Sequence, residues 1–112
     1  MLREEPAAPD LLAIARDVLL NDLLPALPPD KAFAARMVAN AMAIAGREAE
    51  QDAAWEAEAL ARMPGDPRDF AAAIRQGRFD PGSAGHALAA ALLDEITRAR
   101  CAVSAPRALG KG

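Results

Sequence analysis

Two groups of polar side chains stand out as residues that could bind a ligand. Asn40 and Arg47 lie seven residues apart in an otherwise apolar stretch. Arg75, Arg78 and Asp80 surround a single glycine further along the chain. Arginine guanidinium groups bind carboxylates and phosphates through paired N–H donors. These five residues are therefore the candidate ligand-binding site, with a small ligand or an anion as the molecule bound.

Both groups also have a structural interpretation. Arg47 can be buried and paired with a carboxylate as a clamp between helices, because a buried charge needs a partner, and we expect this burial. Arg75 and Arg78 can stabilise a helix end through its dipole. If a helix starts just after Asp80, its free N–H groups would instead help to bind an anion. The sequence leaves these interpretations open.

Patterns for catalysis and metal binding are weak. The chain has one histidine, His86, and one cysteine, Cys101. His86 follows Ser83 by three residues, but a Ser–His nucleophile also needs an orienting group and an oxyanion site. The acids between Glu48 and Glu58 point around a helix instead of converging on a cation. We predict no catalytic residue, no metal and no cofactor, and a small enzyme that uses His86 or paired acids is the least favoured interpretation.

The composition favours helices and excludes several classes of protein. The 112 residues are 53% hydrophobic and 4% aromatic, with a net charge of -3. Alanine and arginine, both good helix formers, are abundant, and strand-forming residues are few. A nucleic-acid binder would need a basic surface. No secretory pattern and no apolar run of about 18 residues is present, so we expect a cytoplasmic protein without a membrane or nucleic-acid partner.

Proline and glycine divide the chain into four predicted helices. The first runs from Asp10 to Leu24, and the second runs from Asp30 to Met63 through Gly46, where glycine costs only about 1 kcal/mol. The third runs from Pro67 to Gln76. The fourth follows an Asp-Pro-Gly-Ser cap at residues 80–83 and ends near residue 103. This pattern predicts an all-α fold, a small antiparallel bundle of about four helices with one long central helix.

One domain is expected over residues 9–107, between flexible termini at 1–8 and 108–112. On the first helix the buried stripe would include Leu11, Ile14 and Val18, with Arg16 pointing away. The segment Ala32–Ala45 is apolar almost all round, which is more than three companions can cover, so we predict a homodimer. The core positions expected on the last two helices are Phe70, Ala73, Ile74, Leu88, Leu92, Ile96, Ala99 and Val103.

Local signals mark three helix ends. Asp66 precedes Pro67, an arrangement typical of a helix start. Gly77 is expected to end the third helix with a positive φ, because a β-carbon is strained there. Asp80 is expected to accept hydrogen bonds from backbone N–H groups and so cap the fourth helix.

Three stretches carry a resemblance to a known family. They are Pro9-Asp10-Leu11-Leu12, then Ala39-Asn40-Ala41 with Arg47-Glu48, and the run Ala73-Ile74-Arg75-Gln76-Gly77-Arg78-Phe79-Asp80. Over residues 9–107 the chain resembles a bacterial domain-of-unknown-function family of small helical proteins. Genes of that family often lie beside aminoglycoside-phosphotransferase-like kinases and acyl-CoA-dehydrogenase-like enzymes. The resemblance implies that Asn40, Arg47, Arg75 and Asp80 are the positions to examine.

Two functions of different classes follow. The first is a non-enzymatic accessory or scaffold protein that acts with a partner enzyme, kinase-like or acyl-CoA-related as the resemblance implies. The alternative is a helical protein that binds a small ligand or an anion. A pocket lined by Arg47, Arg75 and Arg78 would favour the second function, and a flat apolar patch of more than a few hundred Å² would favour the first.

Overall fold

The structure, a computed structural model, describes residues 4–110. This part of the chain is 77% helical and contains no strand, so the predicted all-α class is confirmed. It holds five α-helices instead of four, and the antiparallel bundle stays a prediction. The predicted flexible termini lie partly outside the described residues, at 1–3 and 111–112. The helices are α1 Ala8–Val18, α2 Ala32–Glu50, α3 Ala54–Arg62, α4 Pro67–Arg75 and α5 His86–Ser104.

Two compact units divide the chain. Unit 1 ends at Gln51 and contains α1 and α2, whereas unit 2 begins at Asp52 and contains α3, α4 and α5. The single domain expected over residues 9–107 stays a prediction.

In unit 1, the first helical segment changes its geometry before it ends. After α1 it continues as a π-helix over Leu19–Leu23 and then as a 3-10 turn over Leu24–Ala26. A second 3-10 turn, Pro29–Lys31, leads into α2. The prolines near residues 25–29 therefore end one helical segment and start the next, as predicted, because proline fits the first turn of a helix and not its interior.

The face of α1 that meets α2 differs from the predicted one. Arg16 Nε donates a hydrogen bond of 3.1 Å to the carbonyl oxygen of Ala39 on α2, although Arg16 was expected to point away. Leu11, Ile14 and Val18, the expected core stripe, are about half exposed. The α1 face with Arg16 can therefore pack on α2, because the long arginine stem covers apolar surface while its guanidinium reaches a carbonyl. Among residues 4–51 of unit 1, only Ala35 and Ala39 are buried.

The long central helix is a wrong prediction, because α2 ends at Glu50 and α3 begins at Ala54. Gln51 has the extended angles φ -70° and ψ 136°. The Asp52 carboxylate then accepts a 2.9 Å hydrogen bond from the backbone N–H of Ala54. An aspartate that satisfies a free N–H group in this way favours a helix start. Gly46, through which the predicted helix runs, lies inside α2.

Unit 2 has an aromatic core. Phe70, only 3% exposed, packs with Ala59, Ala89 and Leu92. The ring of Phe79 meets Phe70 edge-on, with centroids 5.4 Å apart and an interplanar angle of 73°, an arrangement that aromatic rings prefer. The expected burial of Phe70 and Leu92 is confirmed. Leu88 is 80% exposed, so its place in the expected core stripe is wrong.

Both ends of α4 follow the predicted local signals. Asp66 and Asp69 form a reciprocal capping box at its start. Gly77 has φ +80°, and the N–H groups of Gly77 and Arg78 bond to the carbonyls of Ile74 and Ala73 at 3.0 and 3.1 Å. These two bonds are those of a Schellman motif, which requires a left-handed residue after the helix.

The start of α5 contradicts the prediction for Asp80. The N-cap residue of α5 is Gly85, and no side chain caps it. Successive turns fill the gap, because the Ser83 N–H bonds to the Asp80 carbonyl and the His86 N–H bonds to the Ser83 carbonyl. The Asp80 carboxylate instead lies over Gly77, with Oδ2 3.0 Å from where a β-carbon of that glycine would stand.

These two aspartates should differ in their contribution to stability. We expect Asp66→Ala to lower the free energy of unfolding by about 0.5–2 kcal/mol, because the N-terminal amides of α4 lose their acceptor. Asp80→Ala serves as the matched control and should change stability by less, since Asp80 caps no helix. Urea unfolding of the two variants beside the parent protein measures the difference. Equal losses would contradict these assignments.

Candidate functional site

The five predicted site residues fall into two groups, one in each unit. Asn40 and Arg47 lie on α2 in unit 1. Arg75 is the last residue of α4, and Arg78 and Asp80 follow it in the turns that lead towards α5. Their role in ligand binding stays a prediction.

In unit 2, Arg75, Arg78 and Asp80 are all exposed and lie within six consecutive residues. The predicted anion site also needed the start of a helix just after Asp80. Because α5 begins only at His86, behind two further turns, its free N–H groups do not follow Asp80 directly. The anion hypothesis for this segment therefore rests on two exposed arginines next to a carboxylate.

In unit 1, Asn40 is exposed and Arg47 is half-buried. Arg47 is thus partly buried, although no polar or charged residue is fully buried in the described part of the chain. The expectation that Arg47 is largely buried and paired with a carboxylate stays a prediction. At 100° per residue, Asn40 and Arg47 lie at the flank of the α2 face that carries Phe33 and Met37, with Asn40 three residues and Arg47 ten residues beyond Met37. The candidate polar residues of unit 1 thus border an apolar surface.

Two exposed apolar stripes follow from this geometry. The α2 stripe consists of Phe33 and Met37, four residues apart, which are 74% and 52% exposed. The α1 stripe consists of Leu11, Ile14 and Val18, at three- and four-residue spacing and 46–56% exposed. Residues at these spacings share one face of a helix, so each stripe is a continuous apolar surface.

The remaining chemical candidates are held in local structure. His86 Nδ1 lies 2.9 Å from the carbonyl oxygen of Phe79. Because a carbonyl only accepts, this nitrogen is the donor. Ser83 Oγ is buried and has no hydrogen-bond partner, so His86 does not activate it. Cys101 is free and half-buried on α5. Within residues 4–110, no three histidine, cysteine or acidic side chains are placed to hold a metal.

An apolar cavity of about 380 Å³ opens on unit 2. Its walls include both core phenylalanines, Phe70 and Phe79, together with Leu88 and Leu92 from α5. Arg62, near the end of α3, is the one charged residue that lines it. A cavity of this size is within the range of small-molecule sites.

Arg62 is held by a carboxylate from another helix. Both guanidinium NH2 groups donate to the two carboxylate oxygens of Glu95 on α5, one of them at 3.1 Å. Through these hydrogen bonds Arg62 lowers the pKa of the Glu95 carboxyl below its ordinary value, and Glu95 raises the pKa of Arg62. The cavity is therefore bordered by an ion pair whose net charge is zero.

Sequence reasoning missed the cavity and this ion pair. Arg62 and Glu95 are 33 residues apart, and their pairing depends on how α3 packs against α5. The break before α3 did carry a local signal, because Asp52 is a residue type that favours helix starts. The absence of proline and glycine between residues 47 and 63 nevertheless favours a continuous helix in a prediction from sequence.

Comparison with known families gives one match. The model of a domain of unknown function, DUF6285, matches residues 25–108. The chain belongs to this family. The DUF6285 match includes α2, α3, α4 and α5, and it begins after α1. No curated protein and no solved structure matches the chain. None of the helices described within DUF6285 or before it has the length and apolarity needed to cross a membrane.

Proposed function

We propose that this protein is a non-enzymatic accessory protein that works by binding other protein surfaces through unit 1. One observation carries the proposal. Unit 1 holds eight of the twelve large hydrophobic residues that are exposed in the described chain, but its only buried residues are Ala35 and Ala39. Single exposed apolar residues are ordinary, whereas contiguous apolar surface marks an interaction site.

The energetics favour a partner for each stripe. Full burial of a leucine, isoleucine, valine, phenylalanine or methionine side chain contributes about 1.5–3 kcal/mol. The five residues of the two stripes expose roughly half or more of their surface. A helix pair with two buried alanines leaves most of this free energy unused, and stable helical folds pack such faces against further helices.

For the α2 stripe we propose a second copy of this chain as the partner. Most soluble oligomers are homo-oligomers, and the twofold dimer is the most frequent. Interfaces of homodimers are also more apolar than transient ones. Phe33 and Met37 would supply the apolar centre, and Asn40 and Arg47 on the flank would supply the polar rim.

For the α1 stripe we propose an enzyme partner. This step rests on the resemblance stated above, which implies a kinase-like or acyl-CoA-dehydrogenase-like enzyme encoded beside the gene. Leu11, Ile14 and Val18 lie on another helix than Phe33 and Met37, so one chain can use both stripes. Bacterial origin and a cytoplasmic location stay predictions.

Oligomeric state tests the first partner. Light scattering at tens of micromolar should give twice the 11.7 kDa mass of the chain. Phe33→Asp should give a monomer with unchanged helical circular dichroism, because a charge cannot be buried unpaired in an apolar interface. Leu11→Asp, which places the same charge on the α1 stripe, should remain a dimer. A monomeric parent protein, or a dimer that survives Phe33→Asp, would refute the proposed interface.

Co-purification with the enzyme encoded beside the gene tests the second partner. In this test Leu11→Asp is the disrupting variant and Phe33→Asp is the control. Leu11→Asp should lose the enzyme, and Phe33→Asp should retain it as a monomer. Failure of both variants to affect capture, or failure of the parent protein to capture the enzyme, would reject the accessory role without affecting the dimer.

A further inference from the structure

We infer that the cavity of unit 2 is a binding site for an uncharged apolar small molecule, and that Glu95 sets its preference against carboxylates. The inference is independent of the surfaces of unit 1. It rests on the walls of the cavity, the pairing of Arg62 and the exposure of Leu88.

Size and lining define the class of ligand. A cavity of about 380 Å³ has room for roughly ten non-hydrogen atoms, since one water occupies about 30 Å³ in the liquid. Phe70, Phe79 and Leu92 offer it aromatic and aliphatic walls. Leu88 lines the same cavity yet is 80% exposed. A bound apolar molecule would remove part of this leucine from water, which favours binding.

Charge decides between neutral and acidic ligands. Arg62 is the one charged residue of the lining, and both of its NH2 groups are engaged by Glu95. Glu95 already balances the charge of Arg62, so a ligand carboxylate would gain little attraction from the guanidinium and would lie beside the Glu95 carboxylate. Bringing an unpaired carboxylate into apolar surroundings is unfavourable. The intact Arg62–Glu95 pair therefore favours an alcohol, an aldehyde or a hydrocarbon over a carboxylate of the same chain length.

Removal of the Glu95 charge should reverse the preference. In Glu95→Gln the guanidinium of Arg62 keeps its position at the cavity but loses its charged partner. Arginine binds carboxylates through two parallel hydrogen bonds, so the freed side chain can take the carboxylate of a ligand. Glu95 is thus a specificity-determining residue of this site.

The probes for the test are 1-decanol and decanoate, each below the concentration at which it aggregates. Titration of the full chain, followed by amide NMR shifts and by calorimetry, should give saturable 1:1 binding of decanol and binding of decanoate that is at least about tenfold weaker. Glu95→Gln should bind decanoate as well as or better than decanol. Arg62→Gln with Glu95→Gln should lose that gain while still binding decanol.

Two alanine-to-phenylalanine variants distinguish binding in the cavity from non-specific binding to apolar surface. Ala91 lines the cavity and Ala90, its neighbour on α5, does not, and both are exposed. Ala91→Phe should weaken decanol binding at least about tenfold, and Ala90→Phe should leave it unchanged. Absence of saturable binding, equal effects of the two variants, or a parent protein that prefers decanoate would each overturn the inference.

Discussion

Replacing Phe70 with alanine is expected to lower the free energy of unfolding by about 3–5 kcal/mol. Phe70 is 3% exposed and packs with Ala59, Ala89 and Leu92. Two of these neighbours are alanines, whose short side chains cannot move into the space that the ring leaves. A small unit has a total stability of only about 5–15 kcal/mol, so this loss is a large fraction of it.

Chemical unfolding followed by tryptophan fluorescence measures the effect, because Trp55, the single tryptophan, packs against the Phe70 cluster. Leu88→Ala is the control within the same unit. Its side chain is 80% exposed, and surface substitutions usually change stability by no more than about 0.5 kcal/mol. A loss at Leu88 as large as that at Phe70 would mean that the core is elsewhere.

Replacing Gly85 with alanine is expected to cost about 1–3 kcal/mol through overpacking. A β-carbon at Gly85 would stand 2.9 and 3.0 Å from two carbons of the Phe79 ring. That ring is held edge-on against Phe70, so it cannot yield without disturbing the core. The loss is steric, because Gly85 has an ordinary negative φ of -92°.

Gly46→Ala provides the matched control for the same chemical change. No atom lies within 4 Å of a β-carbon at Gly46, and this glycine is inside α2. Alanine there should raise stability by up to about 1 kcal/mol, since glycine is the poorer helix former. Thermal unfolding of the two variants should therefore shift in opposite directions, and a shift in the same direction would contradict the steric argument.

Local chemistry accounts for the parts of the fold that could be predicted. Asp66 before Pro67, and Gly77 with its positive φ, act within one turn of the chain. Their geometry depends on the residues next to them, so the sequence alone determines both ends of α4. The all-helical class follows in the same way from the sum of many residue propensities.

Tertiary packing decided what could not be predicted. The spacing along α1 predicts that the face with Leu11, Ile14 and Val18 is buried, whereas the hydrogen bond from Arg16 to Ala39 joins another face to α2 and exists only when α2 is in place. The candidate site has the same limit. Asn40 and Arg47 could be grouped because they share a helix, whereas Arg62 and Glu95 meet across two helices. The spacing of residues along the chain therefore cannot predict a contact such as that between Arg62 and Glu95, which forms only when α3 packs against α5.

The π-helix over Leu19–Leu23 has a consequence for how this chain tolerates changes in length. In it, the Leu24 N–H bonds to the Leu19 carbonyl, five residues back instead of four. This turn therefore holds one residue more than an α-helix would, and the extra residue delays the following side chains by about 100°. Deleting Asn21, which is exposed, would leave an ordinary α-helical turn between α1 and the prolines. Insertions and deletions of single residues among relatives should accumulate here sooner than inside α2, where each would rotate an entire packed face.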